Sequence, residues 1–303
     1  MEFDAVLIAG PTASGKSREA LAVAEHIGGV IINADSMQVY REAPILTAQP
    51  GAADKARAPH LLYGHVGAAE VYSVGRWRDD ALAALEQARS MQRVPIFVGG
   101  TGMYFSALTD GLADIPEIPA EIREAARALL EEIGVEQLHA RLMERDPLTA
   151  AKLRPRDPQR VLRAWEVFEA TGRPLAEWQS APAAPVLKDA KLAAFVLDPP
   201  RPELRARIAR RFEQMVEQGG LEEARGLAGL DPALPAAKLL GLRPLQALAA
   251  GELPRDEALE NAITATRQFA KRQMTWFRNR MPHYIWYDPL LSNIITQYAK
   301  VSS

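Results

Sequence analysis

Apolar positions run along this chain in two rhythms. Short unbroken runs, Ala5 to Ala9, Val30 to Ile32, Val94 to Val98 and Ala193 to Leu197, have the length and β-branched character of strands buried on both faces. Elsewhere the apolar residues recur every three or four positions. Ala20, Leu21, Ala24 and Ile27 form one stripe of a helix predicted from Lys16 to Ile27, and Leu259, Ile263, Phe269, Met274 and Phe277 line a long helix from about Asp256 to Arg280. The run ending at Gly10, a polar loop and the helix after it make half of a βαβ unit. Short buried strands separated by helices predict an α/β fold with a parallel sheet covered on both faces.

Between about Pro116 and Lys191 no strand pattern occurs. The spacing predicts helices over Ala120 to Ile133, Val135 to Arg145 and Pro158 to Thr171, the last with Asp157 as N-cap, Pro158 at the first helical position and Gly172 as the stop. Gln179 to Val186 reads as a loop, and Pro202 to Gln218 as a helix closed by Gly219. The expected organisation is a first part of the core over residues 1–115, an all-helical lobe over 116–192, and a second part of the core with basic C-terminal helices over 193–303.

At 303 residues the chain slightly exceeds the roughly 250 to 300 at which one core stops growing, which agrees with a main domain plus a lobe. The absence of cysteine excludes disulfides, thiolate metal sites and cysteine nucleophiles. Histidines 26, 60, 65, 139 and 283 lack the i,i+3 or i,i+4 spacing of a helical metal site. Glu2 and Asp4 precede the first apolar run, the reverse of a basic secretory leader, and no stretch approaches the roughly 20 apolar residues of a membrane span. The expectation is a soluble cytoplasmic protein with no membrane partner. A net charge of −2 excludes a uniformly basic coat, but it hides a split: Asp110 to Glu136 is acidic, whereas Asn261 to Tyr287 carries Arg267, Lys271, Arg272, Arg278 and Arg280 without one carboxylate.

Candidate chemistry begins at Gly10-Pro11-Thr12-Ala13-Ser14-Gly15-Lys16-Ser17, which fits G-x-x-x-x-G-K-[ST] between a strand and a helix. A chance match in a chain of this length is on the order of one in a hundred. Backbone N–H groups of Gly10, Thr12, Ala13, Ser14 and Gly15 and the helix N-terminus would surround a polyphosphate, with Lys16 on its outer oxygens and Ser17 on Mg²⁺. The motif marks a nucleotide-binding or other phosphate-binding loop and does not say which phosphate it holds.

Two carboxylates compete for the next role. Asp198, after the strand ending at Leu197, is either a metal-site acid or a turn residue, and the first option gives a nucleotide or small-molecule kinase that binds ATP. Asp35 follows the second strand, and in an open α/β sheet that edge faces the same crevice as the phosphate loop, so Asp35 is the favoured general base. The strand at Val94 to Val98 runs instead into Gly99-Gly100-Thr101-Gly102, with no acid.

Five blocks, in order, carry a resemblance: the phosphate loop, Asp35-Ser36-Met37-Gln38-Val39-Tyr40-Arg41, Val98-Gly99-Gly100-Thr101-Gly102-Met103-Tyr104, Asp157-Pro158-Gln159-Arg160-Val161-Leu162-Arg163, and Lys271-Arg272-Gln273-Met274-Thr275-Trp276-Phe277-Arg278. Together they resemble the tRNA dimethylallyltransferases, also called the IPP transferase family, over all but the tail from about Asp288. The resemblance implies a P-loop NTPase-like core and prenyl transfer from dimethylallyl diphosphate to the exocyclic N6 amine of the adenosine just 3′ of the anticodon. It implies that the phosphate loop holds diphosphate rather than ATP, that Asp35 deprotonates the amine, that Thr101 lines the reaction channel and that Arg207 binds the diphosphate with Lys16. It further implies contacts with the tRNA anticodon stem-loop from Asp35, Ser36, Met37, Gln38, Thr101, Arg123, Gln159, Arg160, Val161, Leu162, Arg163 and Arg243, made by a monomer whose helical lobe clamps the stem-loop.

The residues themselves add one local argument. Gln159, Arg160 and Arg163 occupy the first turns of a helix, where positive charge opposes the macrodipole unless an anion is near. By periodicity Leu162, Trp165 and Phe168 form the same helix's core stripe. Two segments depart from the family: Ala43-Pro44-Ile45-Leu46-Thr47-Ala48-Gln49-Pro50 replaces Met-Asp-Ile-Gly-Thr-Ala-Lys-Pro, and Gly241-Leu242-Arg243 replaces Gly-Tyr-Arg/Lys. Neither touches the expected chemistry. A non-catalytic tRNA-binding module is the third alternative, and it leaves Lys16 and Asp35 together unexplained.

Overall fold

The computed structural model describes residues 3–301, so Glu2 lies outside the described residues. Six parallel strands form one sheet in the order β3-β2-β4-β1-β5-β6: β1 (Ala5–Ala9), β2 (Val30–Asn33), β3 (His60–Leu61), β4 (Pro95–Gly99), β5 (Leu192–Leu197) and β6 (Ile285–Tyr287). Leu7 pairs with Phe97 on one side and Ala194 on the other, which places β1 at the centre. Every side chain of β1, β2 and β4 is buried, and each large aliphatic one contributes on the order of 1.5–3 kcal/mol. The interior of the sheet follows from these continuous apolar runs. The edge strands β3 and β6 are only two and three residues long, too short to leave a periodic signal.

Helices α1 (Lys16–Ile27), α2 (Ala52–Arg57), α3 (Val74–Ser90) and α4 (Gly102–Thr109) belong to the first half of this unit. One glycine explains the tight edge between β2 and β4: a Cβ on Gly99 would lie 1.9 Å from the Ala34 carbonyl oxygen.

Residues 110–185 form a separate compact unit. It contains α5 (Ala120–Ile133), α6 (Val135–Arg145), α7 (Pro147–Ala150), α8 (Pro158–Thr171) and α9 (Leu175–Ser180). Its core gathers Leu138, Leu142, Val161, Ala164 and Trp165. The caps of α8 are those expected, with Asp157 accepting from the Arg160 N–H and Gly172 in the left-handed conformation. The expected boundaries at 116 and 192 shift to 110 and 185, because Val186 and Leu187 donate backbone hydrogen bonds to Ala107 and Leu108 in the sheet unit. The expected loop from Gln179 is also corrected: its first two residues finish α9.

The chain then returns to the sheet unit with α10 (Arg201–Met215), α11 (Leu221–Gly226), α12 (Leu242–Ala249), α13 (Arg255–Arg280) and α14 (Ile294–Val301). Gly219 closes the preceding helix as expected, since helical backbone runs on past Met215 up to this glycine. With φ at 111° it bends the chain through one widened turn, after which α11 begins at Leu221. The tail past Asp288 is anchored by the buried Glu19 carboxylate of α1, which accepts from the Ile294 N–H at 2.8 Å and the Tyr287 hydroxyl at 3.3 Å. No helix among the described residues is long and apolar enough to cross a membrane.

Candidate active site

Parallel strands deliver their C-terminal loops to one edge, and that edge holds the phosphate loop after β1, Asp35 after β2 and Thr101 after β4. In the phosphate loop Ala13 and Gly15 both have positive φ, at 64° and 93°, and this turns successive N–H groups toward one concavity. Gly15 then caps α1, whose first N–H groups have no intrahelical partner. Ala13, Gly15, Lys16 and Ser17 line a cleft of about 320 Å³ with Arg207 and Arg211 on the opposite wall. That volume suits a small polyanion.

Lys16 is buried, and burial pushes its ammonium down to about 8 against the counteracting pull of Asp35. Arg207 is oriented by Glu203, at 2.8 Å from Nε, and donates from Nη1 to the Ser14 carbonyl at 3.4 Å. One turn further, Arg211 donates to the Thr12 hydroxyl; burial lowers its guanidinium, and Asp35 again opposes the shift. Among the loop residues expected on diphosphate, three have their N–H groups already engaged. Gly10 donates to Gly99 O, Thr12 to Gln273 Oε1 and Ser14 to Pro11 O. These three shape the loop, and the amides left to face an anion lie toward Ser17. Ser14 is fully buried, with its hydroxyl without a partner, and a Cβ on Gly10 would approach that oxygen to 2.7 Å.

Asp35 sits at a turn built by its neighbours. Asn33 Oδ1 accepts from the Asp35 N–H at 2.9 Å, and Asp35 Oδ1 accepts from the Met37 N–H at 3.1 Å. Thr101 ties this turn to the loop after β4: its hydroxyl accepts from the Ser36 N–H at 2.8 Å and donates to Ser36 Oγ at 3.1 Å. A second, narrow pocket of about 40 Å³ has Asp35, Thr12 and Arg211 on one side and Phe212, Met215 and Phe269 among its apolar lining. A carboxylate, a cation and an apolar wall therefore meet beside the phosphate loop.

Asp198 is not free for the metal role that the kinase alternative requires. Both its oxygens lie 3.4 Å from Arg278 Nη2. The expected Mg²⁺ is compatible with the donors present. Ser17 offers an exposed hydroxyl on the cleft, and no cluster of three or more His, Asp or Glu occurs among the described residues. Such a set suits an ion held mostly by phosphate oxygens and water.

Comparison with known proteins decides the family. A family model described as IPP transferase matches residues 38–280, and one described as isopentenyl transferase matches residues 3–57. A tRNA dimethylallyltransferase of Methylocella silvestris is 51% identical over 290 residues, covering 95% of this chain and 96% of its own. The chain belongs to the IPP transferase family. A second relative, the tRNA dimethylallyltransferase of Rhodopseudomonas palustris, is 53% identical over 287 residues, with 94% and 91% covered. The crystal structure of the full-length tRNA isopentenylpyrophosphate transferase from Bacillus halodurans aligns with a TM-score of 0.68 at 31% identity over 99% of this chain and 94% of that one. A eukaryotic dimethylallyltransferase acting on tRNA aligns with a TM-score of 0.76 at 27% identity over 90% and 69%. Membership makes this chain a prenyltransferase with a P-loop NTPase-like core, and the kinase alternative is set aside.

Within the IPP transferase frame the tRNA-directed expectations divide. Asp35, Ser36, Met37 and Thr101 gather at the sheet edge, and Met37 lines the narrow pocket. The Gln38 side chain is buried, and Nε2 donates to Thr47 O at 2.9 Å and Ala48 O at 2.8 Å, which holds the divergent 43–50 turn in place. Val161 is fully buried in the helical unit's core, since it falls on the apolar stripe of α8, so its side chain presents nothing to a partner. Leu162 packs partly against the same core. Gln159 and Arg160 are exposed, Arg163 and Arg123 are half-buried, and all lie in the unit of residues 110–185. The macrodipole argument for Arg160 and Arg163 is weakened, because Asp157 and Glu166, each 3.5 Å away, already supply the anions. Arg243 is exposed in the first turn of α12.

Two residues that the structure places at the site were given no role in the sequence reading. Arg211 was detectable as the i+4 partner of Arg207, on the same face of one helix. Gln273 left no signal beyond its place in a motif, because its partners are 261 and 173 residues away.

Proposed function

We propose that this protein transfers the dimethylallyl group of dimethylallyl diphosphate to N6 of the adenosine immediately 3′ of the anticodon in tRNA, and releases diphosphate. One observation carries the reading: Asp35 and the phosphate loop's Thr12 border the same narrow, largely apolar pocket, beside the cationic cleft. The cleft supplies a diphosphate site and the pocket has room for a small apolar group. The carboxylate at its edge meets an incoming amine. The relatives' names supply the two substrates.

In the proposed reaction the N6 lone pair forms a bond to C1 of the donor while the C1–O bond breaks, its electron pair leaving with the diphosphate. An adenine amine is a weak nucleophile because its lone pair is delocalised into the ring, so Asp35 accepts its proton as the bond forms. Lys16, Arg207 and Arg211 stabilise the charge that builds on the leaving diphosphate, in a site where burial strengthens each interaction. Ser17 would hold Mg²⁺, which neutralises part of the diphosphate charge when bound. Thr101 fixes the Asp35 turn through Ser36. A base stacked inside the anticodon loop cannot reach such a pocket, so the target adenosine must be extruded. Exposed Gln159 and Arg160, with Arg163, Arg123 and Arg243, are the proposed contacts to the anticodon stem-loop. The reading includes a monomer acting in the cytoplasm.

Incubation of unmodified tRNA with enzyme and dimethylallyl diphosphate, followed by nucleoside mass spectrometry, tests the proposal. Dimethylallyladenosine at the position 3′ of the anticodon is expected, and unmodified adenosine there would reject it.

A further inference from the structure

We infer that Gln273 is a positioning residue for prenyl transfer: it holds the loop that binds the donor and the loop that supports the base at a fixed separation. The inference rests on the transferase reading above and names how that site keeps its geometry. Gln273 lies in α13, only 6% exposed. Its Oε1 accepts from the Thr12 N–H at 2.9 Å, and its Nε2 donates to the Gly100 carbonyl at 2.8 Å. One planar amide thus spans from the phosphate loop after β1 to the loop after β4.

From Gly100 the link continues to the base. Thr101 follows in sequence, and its hydroxyl grips Ser36, the neighbour of Asp35. The contacts are close-fitting. A Cβ on Gly100 would fall 2.1 Å from Gln273 Nε2 and 3.2 Å from Asp35 Oδ2, so the amide and the carboxylate crowd this glycine together. Thr12, at the other end of the link, also takes the Arg211 guanidinium on its hydroxyl. Loss of the Gln273 amide would therefore free the two loops to shift relative to each other, while the Arg211–Thr12 and Thr101–Ser36 bonds on either side persist.

Displacement at an allylic carbon requires the attacking nitrogen, the carbon and the departing oxygen to be aligned. A misplacement of about 1 Å in such a geometry costs on the order of 10²-fold in rate. Gln273 touches none of these atoms, and its contribution is the separation of the groups that do. Glutamine suits the task because the two loops present one donor and one acceptor. Glutamate would set an oxygen against the Gly100 carbonyl, and methionine would fill the space with neither bond.

The test compares wild type, Gln273→Met and Gln273→Glu for kcat and donor KM in tRNA prenylation, for calorimetric affinity for inorganic diphosphate and for thermal midpoint. The expected result is a fall in kcat of about 10²-fold in Gln273→Met, with diphosphate affinity, donor KM and thermal midpoint close to wild type. Gln273→Glu keeps the bond from Thr12 but sets two acceptors against each other at Gly100, so its kcat should fall at least as far; it carries the test if the methionine variant fails to fold. Variants that retain wild-type kcat overturn the proposal alone. A parallel loss of kcat, diphosphate affinity and thermal midpoint overturns it in favour of a purely structural role. A wild-type protein that transfers no prenyl group overturns the transferase reading and this proposal with it.

Discussion

Raising the pH from 7 to 9 should discharge Lys16 in the free protein and weaken diphosphate binding. Burial pushes this ammonium down to about 8, and Asp35 limits the fall. With that value about nine-tenths of the molecules carry the charge at pH 7 and about one-tenth at pH 9. Diphosphate favours the charged form, so binding raises the lysine's proton affinity and takes up a proton above pH 8. Apparent affinity should therefore fall about tenfold across the interval. The assay is calorimetric titration with inorganic diphosphate at several pH values, for wild type and for Lys16→Met. Ionisation of diphosphate itself is common to both proteins and cancels in their affinity ratio. That ratio should shrink toward high pH; a ratio constant from pH 7 to 9 would refute the placement of a buried, titrating Lys16 against the anion.

Asp35→Ala should lower kcat by about 10² to 10⁴, because the proton acceptor is lost, while diphosphate affinity changes little; wild-type single-turnover rates would remove Asp35 from the base's role. Arg160→Ala/Arg163→Ala should weaken tRNA binding and flatten its salt dependence by about one unit for each phosphate that an arginine no longer neutralises, read from titrations at several salt concentrations; unchanged affinity and slope would leave these arginines to Asp157 and Glu166. Gly102→Ala would set a methyl 2.3 Å from the Trp276 ring, and should cost about 1–3 kcal/mol in chemical denaturation; an unchanged midpoint would show that the ring yields freely.

The sheet's interior and the helical unit were legible because they depend on local patterns. Strands buried on both faces leave continuous apolar runs, and α8 announces itself through Asp157, Pro158 and Gly172. What escaped depends on tertiary structure. The edge strand β6 is three residues long and owes its place to pairing with β5, while α14 is fixed by a buried carboxylate on α1, 275 residues away. At the site, Lys16 and Asp35 were readable because a phosphate loop and the strand ends of a parallel sheet share one edge. The Val161 side chain turned out to lie in the core because a motif names consecutive residues whereas a helix buries only one of its faces. The Gln38 amide was equally illegible: it is taken up by the 43–50 turn, where the sequence departs from its family.

The claim that this phosphate loop serves a departing diphosphate, and not the phosphoryl group of ATP, is tested most directly by the stoichiometry of the products. With tRNA, dimethylallyl diphosphate and Mg²⁺ present and ATP omitted, the released inorganic diphosphate and the prenylated adenosine are counted in the same reaction. The account predicts one diphosphate for each modified adenosine, with no inorganic phosphate formed. Turnover that waits for ATP, or inorganic phosphate released in step with modification, would contradict it.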